Sequence, residues 1–242
     1  MAIEYTLTYN GVQTVSYSTY ISGAKTYRTP TRDYEMIEIP GRNGFLLQDN
    51  NRYTPIVIEY DAFVVHDALT NYRLLINALS SDFGIHRLED TYDSTHFRMG
   101  VFTGGIQPEI FALKTAKFVL PFTCQPERWL KTGEEPVFFT NTTTGDIVNP
   151  TRYDAKPLIR VYGNGSFYIS EQRVNVQGNT GHIDIDCEMG EAYEEVDGAI
   201  VSRNSNITLT DHTFPVIFPG SNHLRIAQGI TQLKITPRWW EL

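Results

Sequence analysis

Apolar and polar residues alternate along most of the chain, which is the spacing of β-strands with one buried face. Glu4–Tyr9 shows the alternation, and Val12–Tyr20 continues it after a turn at Asn10 and Gly11. Pro55–Val65 repeats it with many β-branched residues, which favour strands. This pattern predicts a mainly β protein.

Only one segment has the spacing of an amphipathic helix. Apolar residues three and four positions apart follow Asp67, namely Leu69, Tyr72, Ile76, Leu79 and Phe83. Asp67 is suited to the N-cap, and Gly84 to the stop signal. The sequence therefore predicts one helix between these two residues.

The strand pattern returns in Phe97–Phe102 and Lys114–Cys124. Pro121 interrupts the second of these strands, and a proline inside a strand is typical of a sheet edge or a bulge. Pro126 lacks an amide hydrogen, so it is expected to end the pairing shortly after Cys124.

The second half of the chain contains short predicted strands without helical spacing. They are Pro157–Tyr162, Ser166–Ile169, Gln172–Val176, His182–Met189, Ala199–Ser202, Asn206–Thr210, His223–Ala227 and Gln232–Thr236. Such strands at regular spacing predict an antiparallel β-sandwich. A polar, turn-rich stretch that includes Thr140–Gly145 precedes them, and we place the boundary so that residues 1–132 and 133–242 form two domains.

Three segments carry the candidate interface or junction residues. They supply Arg42 and Asn43 from the turn Ile39–Phe45, Arg128 and Trp129 from Phe122–Leu130, and Trp239 and Trp240 from Pro237–Leu242. The glycine-rich turn suits either a subunit contact or a purely local turn. Arg and Trp are common at seams between domains or subunits, and here they are expected to fix the domain junction. The two terminal indoles are expected to dock, with core packing favoured over sugar stacking.

Composition excludes several classes of protein. The net charge of -8, without any run of Lys or Arg, disfavours a nucleic-acid-binding surface. Apolar runs are far shorter than the ~20 residues of a membrane-spanning helix, so no membrane segment is expected. The first residues lack the basic and apolar regions of a signal peptide. Cys124 and Cys187 are expected to be buried, reduced thiols; a disulfide between them has no support.

No arrangement of residues predicts catalysis, a metal site or a cofactor site. His182–Glu195 places acidic residues at calcium-loop spacing, but Met189 occupies the position that needs glycine. An amphipathic strand is favoured instead, with an apolar face of Ile183, Ile185, Cys187 and Met189 and a solvated acidic face. The histidines and serines match no ligand or nucleophile motif. We therefore expect a protein that is not an enzyme.

Several segments in order resemble a known family. They are the Ile39–Phe45 turn, Phe122–Leu130, Lys156–Gly163 after Asn149 and Pro150, Ile183–Tyr193, Phe214–Asn222 and Pro237–Leu242. Together they resemble the distal tail protein of long-tailed, non-contractile bacteriophages that infect Gram-positive hosts. The resemblance spans nearly the whole chain.

The resemblance implies a homohexameric ring, single or as two rings back to back, at the tip of the phage tail. It implies an N-terminal ring domain that is β-sandwich-like, with one helix and a hairpin, and a peripheral, galectin-like C-terminal sandwich whose last strand packs there or back on the ring. The implied partners are the major tail protein, a tail-associated lysin or fibre protein and a receptor-binding protein. DNA only passes through the channel. The implied location is the virion, after synthesis in the bacterial cytoplasm.

The galectin-like fold raises a rival function, a carbohydrate-binding module that recognises a saccharide of the host cell wall. Active galectins have an ordered set of histidine, asparagine, arginine, tryptophan and glutamate, and Lys156–Leu242 does not contain it. The polar positions of His182–Met189 are acidic instead. We therefore predict no lectin activity in the second domain.

Overall fold

The structure is a computed structural model that describes residues 5–25, 28–140 and 144–242. The chain forms two compact units, Met1–Arg128 together with Leu242, and Trp129–Glu241. Each unit has its own hydrophobic core. Glu4 of the first predicted strand and residues 141–143 of the predicted turn lie outside the described residues.

The first unit is built from strands and one described α-helix. In chain order these are β1 (Leu7–Tyr9), β2 (Val12–Gln13), β3 (Thr19–Ile21), β4 (Arg32–Glu38), β5 (Phe45–Tyr53), β6 (Ile56–Val64), α1 (Ala68–Ser80), β7 (His86–Asp90), β8 (His96–Phe102), β9 (Glu109–Phe111) and β10 (Thr115–Leu130), whose last two residues belong to the second unit. The main sheet has the order β2-β1-β7-β8-β10-β6-β3, with β9 also paired to β10. It curls into a half-barrel, while β4 and β5 form a separate two-stranded sheet.

The core of the first unit lies on one face of β6 and β10. Every second residue of β6 is buried from Ile56 to Val64, and β10 buries Phe118, Leu120 and Phe122 in the same way. The strands pair antiparallel, with Phe122 opposite Ile58. The predicted alternation of these two strands is confirmed. Their register is fixed because a shift of one residue would expose each set of apolar side chains to water.

The predicted helix exists but is shorter than its apolar spacing suggested. α1 ends at Ser80, and Phe83, placed on its buried side by the sequence pattern, lies outside it with 84% of its surface exposed. Leu75 and Leu79 supply the buried contacts. Asp67 flanks the helix as predicted, but its backbone is left-handed (φ 43°, ψ 53°) and its side chain makes no capping hydrogen bond.

Pro121 lies in an interior strand, so the predicted edge position is wrong. β10 runs between β8 and β6, and its pairing with β6 shows no bulge. The carbonyl of Pro121 accepts a 3.4 Å hydrogen bond from the amide of Thr103, just beyond the end of β8. In an antiparallel strand the missing amide hydrogen would point to the same side. The sheet tolerates proline because β8 has already ended there, so no hydrogen bond between β8 and β10 is lost.

Two other predicted strand limits are wrong. A 3-10 helix, Thr14–Tyr17, interrupts the predicted strand Val12–Tyr20. The buried hydroxyl of Thr14 accepts the amide of Leu7 (3.2 Å), a side-chain bond that alternation cannot reveal. β10 also continues past Pro126 to Leu130 instead of ending near Cys124.

The second unit consists of two antiparallel sheets. Its strands are β11 (Val137–Thr140), β12 (Thr144–Asn149), β13 (Leu158–Gly163), β14 (Gly165–Ile169), β15 (Gln172–Val176), β16 (His182–Asp186), β17 (Glu191–Val196), β18 (Ala199–Ser202), β19 (Ile207–Leu209), β20 (Gly220–Ile226), β21 (Ile230–Thr236) and β22 (Trp240–Glu241). One sheet has the order β11-β21-β13-β16-β17-β18, and the other β12-β20-β14-β15-β19; β22 belongs to neither and pairs with β10. All eight predicted strands of this region are present, Gln172–Val176 and Ala199–Ser202 with the predicted bounds and the other six with shifted ends; β11, β12 and β17 were missed.

Inward-facing residues of both sheets form one core in the second unit. Ile159, Ile185 and Leu233 come from one sheet, and Phe167 and Leu224 from the other, all with no exposed surface. This arrangement confirms the predicted antiparallel β-sandwich, because each sheet buries one apolar face against the other. The mainly β fold class is confirmed for the whole chain.

Candidate functional site

The described residues show no group of three or more His, Cys, Asp or Glu side chains that could hold a metal ion. Within the same ranges, no helix has the length and apolar character needed to cross a membrane. Cys124 and Cys187 are both buried and free, as predicted. Burial raises the pKa of both thiols, that of Cys124 to about 11.

The β4–β5 hairpin exposes apolar residues on both of its faces. Met36 stands opposite Leu47, and Ile37 opposite Leu46, so successive pairs point to opposite sides of the ribbon. These four side chains are between 39% and 57% exposed. Phe45 adds a further ring that is 57% exposed. Contiguous exposed apolar surface of this kind marks an interaction site on a protein.

The turn of the hairpin is the predicted tight turn. Gly41 and Gly44 have φ values of 79° and 89°, a region that favours glycine, and the amide of Arg42 donates to the carbonyl of Ile39 at 3.1 Å. Arg42 and Asn43 are exposed at the tip. Both side chains are thus exposed to solvent. Their contact with another chain stays a prediction.

Ion pairs tie the two hairpin strands together at the end far from the turn. Arg32 donates to both carboxylate oxygens of Asp49, from Nη2 to Oδ2 at 2.7 Å and from Nε to Oδ1 at 2.9 Å. Arg52 donates from Nε to Oδ2 of Asp33 at 2.6 Å. These hydrogen bonds lower the pKa of both carboxyls. The polar residues around Asp49 therefore belong to β5, which continues to Tyr53.

A second apolar surface lies on the outward face of β6 and β10. Val57 and Phe63 of β6 and Val119 of β10 are each about two-fifths exposed (39–41%). Three grooves of about 410–450 Å³ follow this face; Asp61 lines all three, and Glu59 lines two of them. The opposite face of the same strands carries the core, so these strands have apolar residues on both faces.

Arg128 and Trp129, the predicted junction residues, occupy the end of β10. Both are half-buried. The Nη1 atom of Arg128 lies 3.5 Å from Oδ2 of Asp93. The buried indole nitrogen of Trp129 has no hydrogen-bond partner among the residues that the structure describes. Their role at a junction stays a prediction.

The terminal tryptophans take different positions. Trp239 is 6% exposed and belongs to the core of the second unit, which confirms the predicted core packing for this indole. Trp240 instead stacks on Tyr153 with 4.4 Å between ring centroids and donates from its indole nitrogen to the carbonyl of Asp154 at 2.9 Å.

Gly133 allows the terminal segment to approach this closely. Its carbonyl accepts the amide of Arg238 at 2.8 Å, and a Cβ atom at this position would lie 2.3 Å from the backbone nitrogen of Trp239. Leu130 donates its amide to the carbonyl of Trp239 at 2.9 Å. Residues 130–133 and the terminal segment are thus joined by backbone hydrogen bonds.

The predicted solvated acidic face of β16 is wrong. Asp184 and Asp186 are only 4% and 3% exposed, because each carboxylate is held by an arginine. Arg160 binds Asp184 at 2.6 and 2.7 Å, and Arg238 binds Asp186 at 2.7 and 2.8 Å. Met189, predicted to be on the apolar face, is 67% exposed in the turn after the strand. The sequence does contain one sign of this pairing that the prediction overlooked: Arg160 occupies an outward position of β13 and could pair with an acidic residue.

A scan against models of protein families finds no match, and neither does a search of curated protein sequences. Solved structures do match nearly the full chain. The crystal structure of the Dit protein of phage SPP1, described as a paradigm of hub adsorption apparatus in phages that infect Gram-positive bacteria, matches with a TM-score of 0.69 and 15% identity. The match covers 98% of this chain and 99% of that chain.

Two structures of the phage P2 baseplate in its activated conformation also match. The structure with Ca has a TM-score of 0.56 at 8% identity and covers 97% of this chain and 98% of that one. The structure with Sr has a TM-score of 0.55 at 8% identity, with 96% and 97% covered. The predicted resemblance to phage distal tail proteins is confirmed at the level of the fold.

Proposed function

We propose that this chain is a structural virion protein that forms a hexameric ring at the distal end of a phage tail. The observation that carries the proposal is the β4–β5 hairpin, which is apolar on both faces, in a chain whose fold matches a phage hub protein along its whole length. The protein acts as a hub without catalysing a reaction. Its place is the tail tip of the virion.

The hairpin supports a ring because each chain also carries a second, different apolar surface that could bind the hairpin of a neighbouring copy. A closed ring of more than two copies uses two different patches on each copy. One patch is the hairpin, with Met36, Leu46 and Leu47 exposed. The other is the outward face of β6 and β10, where Val57 and Val119 are exposed. Insertion of the hairpin into the next copy removes both apolar surfaces from water, which stabilises the assembly.

The remaining parts of the hub are assigned on the same resemblance. Residues 1–132 form the ring and its channel, and residues 133–242 form the peripheral, galectin-like sandwich. The ring joins the major tail protein on one side to a tail-associated lysin or fibre protein on the other, and carries receptor-binding proteins. The net charge of -8 suits a channel through which DNA passes, because like charge opposes phosphate binding.

Light scattering coupled to size-exclusion chromatography tests the ring. We expect a mass of about six subunits, or about twelve for two rings back to back. Replacing Leu46 and Leu47 with Asp places a charge on each face of the hairpin and should release monomers. Ile200→Asp is the matched control, since Ile200 is 74% exposed on β18 of the second unit and should leave the mass unchanged.

A wild-type monomer at high concentration would contradict the proposed ring. Equal masses for the hairpin double variant and the wild type would show that another surface drives assembly. A glycan array tests the rival function: specific binding of cell-wall saccharides by the full chain would favour the carbohydrate-binding module, and we expect none.

A further inference from the structure

The first unit contains a small cavity of about 40 Å³ at the polar end of its core. Its lining is mostly charged and polar, and includes Lys25, Arg28, Asp90, Asp93, Arg98 and Arg128. A water molecule needs about 10–15 Å³ of such space, so the cavity holds roughly three waters or one small tetrahedral anion. Nothing in the proposed hub function accounts for this concentration of charge.

Positive charge exceeds negative charge around the cavity. The lining contains four cationic side chains, Lys25, Arg28, Arg98 and Arg128, and two carboxylates. Arg28 is the most exposed of the paired cations and lies 3.4 Å from Glu59. The other three cations, Lys25, Arg98 and Arg128, share the two carboxylates Asp90 and Asp93. One of the three cations therefore lacks a counter-charge.

Arg98 is the cation that lacks a carboxylate. It is half-buried on β8, on the same side of the strand as the buried residues Gly100 and Phe102. Among the described residues its only hydrogen bond runs from Nη1 to the carbonyl of Pro126 at 3.1 Å. A guanidinium has five N–H donors, so most of the donors of Arg98 remain for a ligand in the cavity.

The carboxylate of Asp90 is already saturated. Its Oδ2 accepts Nζ of Lys25 at 2.5 Å and the hydroxyl of Tyr60 at 2.7 Å. Its Oδ1 accepts the amides of Tyr92 and Asp93 at 3.0 and 3.2 Å. Four donors fill the acceptor sites of one carboxylate, so Asp90 has no further acceptor site for a hydrogen bond from Arg98.

Asp93 is also held by other donors. Its Oδ1 accepts the hydroxyl of Thr95 at 2.7 Å, and its Oδ2 lies 2.9 Å from Nδ1 of His96 and 3.5 Å from Nη1 of Arg128. Burial raises the pKa of Asp93, but the hydrogen bonds from His96 and Thr95 bring it down to about 2. Asp93 is therefore ionised and paired with residues other than Arg98.

We propose that this cavity binds a small oxyanion, such as inorganic phosphate, with Arg98 as its principal ligand. The planar fork of arginine matches the paired oxygens of phosphate and carboxylate groups. Burial lowers the pKa of Arg98, and the nearby charge of Arg128 acts in the same direction. A bound anion offsets both effects, so binding stabilises the first unit.

Isothermal titration calorimetry of the full chain with inorganic phosphate tests the site, at constant ionic strength and with chloride as the comparison anion. We expect saturable binding of one phosphate per chain. Arg98→Gln should weaken binding about tenfold or more, the effect of losing a charge-assisted hydrogen bond. Arg73→Gln is the matched control, because Arg73 is exposed on α1 and does not line the cavity.

Absence of saturable phosphate binding to the wild-type chain at millimolar concentration would overturn the proposal without any variant. Equal affinities for the Arg98→Gln and Arg73→Gln proteins would also overturn it, because the binding would then be nonspecific. If Arg98→Gln does not fold, Arg98→Lys keeps the charge but removes the fork. Unchanged affinity in that variant would equally refute the role of Arg98.

Discussion

Arg238 binds both carboxylate oxygens of Asp186, with Nη1 to Oδ1 at 2.7 Å and Nη2 to Oδ2 at 2.8 Å. The same carboxylate accepts the amides of Glu188 and Met189 at 3.0 and 3.1 Å. One buried side chain thus shapes the turn after β16 and fixes the segment that follows β21. These bonds lower the pKa of Asp186 against the opposing effect of its burial.

Arg238→Met is expected to destabilise the protein by about 2–3 kcal/mol, because it leaves the buried carboxylate of Asp186 without its cation. Urea denaturation followed by circular dichroism measures the change. Arg152→Met is the control, since Arg152 is exposed and should change the free energy of unfolding by less than about 0.5 kcal/mol. Similar losses in both variants would show that the ion pair adds little.

Stability should fall with acid through the protonation of Asp93. Its pKa is about 2 in the folded protein and 3.8 in the unfolded reference, so the carboxylate contributes stability above about pH 4 and loses it towards pH 2. We expect Asp93→Asn to lose about 1–2 kcal/mol at neutral pH and to show a weaker acid dependence in this window. Denaturation curves at several pH values measure both.

Asp61→Asn is the control for this pH dependence. The exposed side chain of Asp61 makes no hydrogen bond to any residue in the described ranges, and its replacement should preserve the wild-type pH profile. An Asp93→Asn profile that coincides with the wild-type profile would refute the assignment.

Gly133→Ala should destabilise the second unit by at least about 2 kcal/mol, because the added Cβ would lie 2.3 Å from the backbone nitrogen of Trp239. The terminal segment would have to move and expose the Trp239 indole. Indole fluorescence during thermal unfolding reports both effects. Gly198→Ala meets no atom within 4 Å and suffers only the strain of its φ of 79°, about 1 kcal/mol. A smaller loss at Gly133 than at Gly198 would contradict the close approach.

The two thiols should resist alkylation in the folded protein. Cys124 is buried with a pKa of about 11, so at pH 8 about one thiol in a thousand is ionised. Iodoacetamide should label neither Cys124 nor Cys187 until guanidinium unfolds the chain, and should then label both. Mass spectrometry counts the labels. Rapid labelling of the native protein, or a missing label after unfolding without reductant, would be inconsistent with buried free cysteines.

Local spacing predicted the strands well where one face is buried. β6 and β10 follow from alternation alone, since Tyr60 and Phe122 must share the core face while their neighbours in sequence turn outward. The helix around Leu75 follows from its period, but its end does not. Phe83 fits the helical spacing, and only the tertiary structure decides that the chain leaves the helix before it.

Burial of charge was not predictable because the partners are distant in sequence. Arg160 and Asp184 are 24 residues apart, and Asp186 and Arg238 are 52 apart. An acidic strand without its partners has the pattern of a solvated face. The same limit applies to the cavity around Arg98, whose lining residues come together only when β7 pairs with β8 and β10 lies between β8 and β6.

For the candidate interface residues too, the sequence predicts local conformation but not burial. Glycine chemistry placed Arg42 and Asn43 at a turn, and the turn is there. Two adjacent indoles point in opposite directions along an extended chain, so the sequence does not decide whether Trp239 or Trp240 enters the core. A contact of these side chains with another copy stays a prediction.

The isolated hairpin also has two free backbone edges, because within the described part of the chain β4 and β5 pair only with each other. Such edges are templates for uncontrolled strand addition and fibre growth. The ribbon carries Glu35 and Glu38 among its apolar residues, and copies stacked edge to edge would bring these like charges together. Repulsion between these carboxylates opposes such edge-to-edge stacking of ribbons.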